Sequence, residues 1–129
     1  MPDLDLIAVL VAAAAALVAG GAYYAVLGNQ LAEAGATVTG DRMPSWVVAV
    51  EALRCLVLAT VVAGLAARGD IAGWNGGLVL GAVLWIGFPL VLWAGAVVHE
   101  KTPLRLAAIH AGDWLVKLLL VAVIVTTLP

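Results

Sequence analysis

Charge is scarce in this sequence. Lysine and arginine number 6 and aspartate and glutamate 8 in 129 residues, 11% in all, against about 25% in soluble domains. The cations form no cluster, so the electrostatic footprint of a nucleic-acid binder is missing. One cysteine excludes an internal disulfide, and two histidines without a Cys-x-x-Cys or His-Glu-x-x-His run exclude a sequence-local zinc motif. What fills the chain instead is apolar: 65% of residues are hydrophobic and mean hydropathy is +1.16. A soluble domain of this size cannot hide that much apolar surface, so the sequence describes a small integral membrane protein.

A helix needs about 20 apolar residues to cross a hydrocarbon layer of roughly 30 Å. The gaps between charges therefore locate the spans. An uncharged run from Asp5 to Glu33 predicts a first helix over 5–27, and one from Asp70 to His99 predicts a third over 75–98. The other apolar stretches, Cys55 to Ala67 and Leu118 to Pro129, hold 13 and 12 residues, only about 20 Å of helix each. Extended backwards they become spans over 46–67 and 104–127, which draws Glu51 and Arg54 into the second helix and His110, Asp113 and Lys117 into the fourth. The expected architecture is all-α, a four-helix up-down membrane bundle forming one transmembrane domain over 1–129.

The connectors fit this division. Gly28 to Pro44 collects Asn29, Gln30, Glu33, Gly35, Gly40 and Asp41, which suits a loop with a short surface helix at its centre. Arg68-Gly69-Asp70 and His99-Glu100-Lys101-Thr102-Pro103 make the other turns, with Pro103 placed for a first helical position. Trp46, Trp74 and Trp93 fall near span ends, where indoles favour the headgroup region, while Trp85 and Trp114 fall mid-span and are expected to pack. The acidic start Met1-Pro2-Asp3-Leu4-Asp5 is opposite in charge to a signal peptide, so the first helix is expected to be retained. Arg42, Lys101 and Arg105 beside the 1–2 and 3–4 loops outnumber Arg68 in the 2–3 loop, which orients both termini outside the cytoplasm at the inner membrane. Pro89, with Gly87 before it, predicts a kink rather than a break in the third helix.

Five ionisable residues inside spans call for a reason, because a lone charge at mid-membrane costs about 2.5–3.5 kcal/mol on insertion scales. Glu51 and Arg54 are three apart and share a helix face, and His110, Asp113 and Lys117 recur at i, i+3 and i+7 on one stripe. If both helices start at one membrane surface, the two sets lie at matching depth with complementary signs. Arg54 is then expected to reach Asp113, with Glu51 near His110 and Lys117 deeper. Two accounts stay open: structural pairing and snorkelling, or a polar pocket or proton path. A metal held by His110, Asp113 and Glu51 is the least favoured, and no metal or cofactor is assigned. Gly73, Gly77 and Gly81 give two Gly-x-x-x-Gly steps for close helix packing, within the chain or against a second copy. Cys55 reads as a buried thiol, and Tyr23 and Tyr24 as interface anchors.

The chain resembles the bacterial DUF1761 family of small four-helix membrane proteins along nearly its whole length. The residues carrying the resemblance are Gly21-Ala22-Tyr23-Tyr24 with Leu27-Gly28, the run Gly76 to Phe88, and Ile109-His110-Ala111-Gly112-Asp113-Trp114-Leu115-Val116. The family tends to show a Trp-Tyr pair and a Phe-Gly step in the first helix, where this chain has Tyr23-Tyr24 and Leu27-Gly28. The resemblance implies a fold and a membrane, and no reaction.

Two function classes follow. One is a small bundle, monomeric or homodimeric, that binds or conducts a proton, an ion or a small polar solute through the charged stripes of the second and fourth helices. The other is a non-catalytic accessory subunit packing against a larger membrane complex through its glycine face. No catalytic residues are assigned and an enzyme is not expected, since no Ser-His-Asp set, cofactor loop or paired-carboxylate motif stands out.

Overall fold

The computed structural model describes residues 5–33 and 45–128. Among the described residues five helices form four candidate spans: α1 (Leu6–Glu33), α2 (Ser45–Arg68), α3 (Gly73–Gly87), α4 (Pro89–His99) and α5 (Leu104–Thr127). α3 and α4 are two halves of one 27-residue apolar stretch, and each of the four stretches is long and apolar enough to cross a membrane. The protein is thus an all-α bundle of four long candidate spans.

Local chemistry sets the ends. Asp5 caps α1, its Oδ1 accepting from the amides of Ile7 at 3.0 Å and Ala8 at 3.2 Å. α1 runs on to Glu33, so residues 28–33 are helical where a loop was expected. The rest of that loop, with Arg42, lies outside the described residues. The polar turn after α2 is a Schellman motif. The amide of Ile71 bonds the carbonyl of Ala66 at 2.9 Å, and that of Asp70 bonds Ala67 at 3.4 Å, with Asp70 itself left-handed at φ 51°. Pro103 is the residue before α5 rather than its first position. At Pro89 the expected kink is an interruption of one residue. Phe88 leaves helical geometry (φ −123°, ψ −76°), because the proline has no N–H for the carbonyl of Trp85. The ladder resumes at once on both sides, through Phe88 to Leu84 at 3.0 Å and Leu92 to Phe88 at 2.9 Å.

α5 is the hub, packing against α1, α2, α3 and α4, while α1 also packs on α2. Small side chains make this closeness feasible. Ala8, Ala12, Ala16 and Gly20 repeat every four residues along α1 and are buried, and Cys55, Ala59 and Ala63 do the same on α2. Ala12, Ala16, Cys55, Ala59 and Ala63 form a tight apolar core with Val62, Leu118, Val121 and Ala122. Gly77 and Gly81 face α5 within the chain. A Cβ on Gly77 would come 2.8 Å from the carbonyl oxygen of Ala122, and one on Gly81 2.9 Å from that of Leu118. Gly73 does something else. It begins α3 at φ +86°, a backbone setting that suits glycine, so it serves the turn and not helix packing. Between α2 and the α3–α4 limb lies an open apolar groove of about 640 Å³, with Trp114 and Leu118 of α5 among its lining residues.

Candidate functional site: a polar cluster on α1, α4 and α5

Two turns of α5 gather the intramembrane chemistry. His110, Asp113 and Lys117 follow at the spacing that puts them on one stripe, and the stripe turns inward: Asp113 is 3% exposed and Lys117 6%. Asp113 Oδ2 pairs with Lys117 Nζ at 3.0 Å, a bond within the helix at i,i+4. The lysine stem has room because α1 presents Gly20 to it. A Cβ there would lie 2.9 Å from Lys117 Cε and 3.3 Å from Nζ.

α1 also supplies both phenols. The Tyr24 hydroxyl lies 2.8 Å from His110 Nδ1 and donates to Asp113 Oδ2 at 3.3 Å, so it links the imidazole to the carboxylate. Tyr23 donates to the carbonyl of Ile109 at 2.6 Å. These tyrosines are bonded members of the cluster and not free interface anchors. From α4, Trp93 stacks on the His110 ring, centroids 4.9 Å apart and planes at 12°, so it too is a packing residue and not a headgroup anchor. From α3, Trp85 donates its indole N–H to the carbonyl of Ala111 at 2.8 Å. Trp46 and Trp74 do sit on the surface, 69% and 64% exposed.

The expected Arg54 to Asp113 pairing is replaced by two local pairs. Arg54 binds Glu51 on its own helix, with its side chain 53% exposed, and lays its guanidinium over the Trp114 ring at 5.9 Å. Lys117 Nζ approaches the same ring at 5.6 Å. Glu51 and Arg54 thus stand on the rim, and the inner set is Tyr24, His110, Asp113 and Lys117. Cys55 is buried in the adjoining core. Two polar atoms of the cluster are buried without a hydrogen-bond partner among the described residues: Asp113 Oδ1 and Trp93 Nε1. Among those residues no group of three His, Cys, Asp or Glu side chains could hold a metal ion.

The profile of the family described as "Protein of unknown function (DUF1761)" matches residues 7–126. The chain belongs to the DUF1761 family. No curated protein and no solved structure is detectably similar to it. This DUF1761 chain is a four-span membrane protein, and the segments on which the resemblance rests meet in space. Tyr23 and Tyr24 of α1, Trp85 of α3 and Ile109 to Asp113 of α5 are joined by hydrogen bonds around one helical turn. The missed members were signalled in the sequence by the four-residue repeat of small residues on α1, which marks its inward stripe and ends at Gly20, one turn before Tyr24.

Proposed function

We propose that this is a non-catalytic bacterial inner-membrane protein that binds a proton or a small polar solute at an intramembrane site centred on Asp113. The observation that carries this reading is the buried carboxylate itself. Asp113 is 3% exposed, engages Lys117 and Tyr24 through one oxygen, and leaves the other without a hydrogen-bond partner among the described residues. Structural pairing alone favours a carboxylate with both oxygens engaged, because an unsatisfied polar atom in hydrocarbon is costly. The alternative of an accessory subunit loses its main support, since Gly77 and Gly81 are taken up by α5 of the same chain. Both termini are proposed to lie outside the cytoplasm, from the cation bias of the loops.

Infrared difference spectroscopy in lipid nanodiscs tests the reading. A carboxyl band that is lost in Asp113→Asn should appear on acidification, or should shift on adding ammonium, acetate or glycine. A band that none of these moves would leave Asp113 as structural pairing.

A further inference from the structure

Close packing narrows what the site can accept. The Lys117 stem fills the notch at Gly20, and the Tyr23 hydroxyl fills the space beside Gly112, where a Cβ would be 2.5 Å away. Trp93 covers one face of His110. The species that fits without displacing these groups is the one without volume. From His110 to Lys117 each group can give or take a proton through a hydrogen bond already formed, in the order imidazole, Tyr24 hydroxyl, Asp113 carboxylate, Lys117 ammonium.

The line has one open end. His110 is six residues into α5, about 9 Å from its start, and is only partly buried. Asp113 and Lys117 follow at about 13 and 20 Å. Beyond Lys117 the interior is apolar: Leu118, Val121 and Ala122 of α5 meet Ala12 and Ala16 of α1 and Ala59 of α2. The apolar run on to Val125 makes this seal about 12 Å long, over a third of a hydrocarbon layer.

We infer that the site is a one-sided proton well: it exchanges protons with the membrane face that bears Lys101, through His110 and Tyr24, and is closed to the face that bears Gly69. The inference rests on the reading of Asp113 as a binding site and names its substrate. In the uptake step the His110 ring, protonated from that face, gives its Nδ1 proton to the Tyr24 oxygen as Tyr24 passes its own to Asp113 Oδ2. The imidazole ends neutral, the phenol unchanged and the carboxylate a carboxylic acid. The added positive charge then resides on Lys117, which loses its carboxylate counter-ion and stays against the Trp114 ring. Among the described residues the titratable and charged groups around Asp113 are the two phenols of α1, the Glu51, Arg54 and Cys55 side chains of α2, and His110 and Lys117 of α5, with the Trp93 indole from α4.

The test uses the full chain in liposomes whose two sides are buffered separately, with insertion direction read by proteolysis of a terminal tag. Dicyclohexylcarbodiimide, which modifies protonated carboxyls in membranes, reports Asp113 by mass spectrometry, and trapped pyranine reports conduction. Labelling should rise several-fold when the Lys101 face is acidified and stay level when the Gly69 face is. Pyranine should acidify no faster than in protein-free liposomes. Tyr24→Phe, still folded by gel filtration, should lose most of the response. Labelling that follows the Gly69 face, or faster pyranine acidification, would overturn the one-sided well while leaving Asp113 as an exchange site. Labelling indifferent to pH on both faces, with the infrared band still moved by a solute, would remove the proton and keep the solute. Indifference to both would remove the binding reading as well.

Discussion

Tyr23 donates its phenolic proton to the carbonyl of Ile109 at 2.6 Å, across the gap left by the missing side chain of Gly112. That carbonyl lies one residue before His110, and the carbonyl one residue after it, on Ala111, receives the Trp85 indole. The imidazole is therefore carried on a turn held from α1 on one side and α3 on the other.

Removing either donor should loosen that turn without emptying it. Tyr23→Phe and Trp85→Phe should each lower stability in nanodiscs by about 1 kcal/mol, the net worth of one hydrogen bond. Thermal unfolding followed by circular dichroism measures it. Gly112→Ala should cost more, because its Cβ would collide with the Tyr23 hydroxyl.

The buried pair should behave as a unit. Asp113→Asn leaves Lys117 an uncompensated cation and Lys117→Met leaves the carboxylate, so each should cost about 3–5 kcal/mol. The double variant should lose less than the sum of the two, because no lone charge remains. Additive losses in the same unfolding measurement would contradict direct pairing. Arg54→Gln, which breaks only a rim pair, should cost under about 1 kcal/mol.

The glycines should separate by what their missing Cβ would meet. Gly77→Ala runs into the backbone of α5 and should cost about 1–3 kcal/mol. Gly20→Ala meets the flexible end of Lys117, so it should cost less and become nearly neutral in a Lys117→Met background. Gly21→Ala meets nothing and should be silent, whereas Gly73→Ala is strained by its φ of +86°.

Orientation has its own measurement. Reporter fusions after Lys101 and after Gly69 should place the first in the cytoplasm and the second outside it. The reverse pattern would invert the protein, and with it the face from which His110 is reached.

Much of the fold was legible because charge-free runs of about 20 residues have few alternative explanations. The absence of such a run before Leu118 also showed that His110, Asp113 and Lys117 lie at membrane depth. What could not be read was azimuth between helices. Arg54 and Asp113 match in depth and are opposite in sign, yet Arg54 has Glu51 three residues away and Asp113 has Lys117 four away, and local pairs need no agreement between helices. Tyr23 and Tyr24 were equally ambiguous, since a tyrosine late in a span suits an interface or a buried acceptor alike. The inward face of α1 decides between them, and it was written in alanines that composition alone treats as uniform grease.

The hub position of α5 bears on how the protein is made. Chains are delivered N-terminus first, so α1 and α2 can meet as a hairpin while synthesis continues. The α3–α4 limb makes its most extensive packing with α5, which is synthesised after it. Until α5 arrives, Tyr23, Tyr24, Trp85 and Gly77 lack the contacts that α5 gives them, and a nascent chain stalled before Leu104 would hold the α1–α2 hairpin and the α3–α4 limb without the helix that joins them.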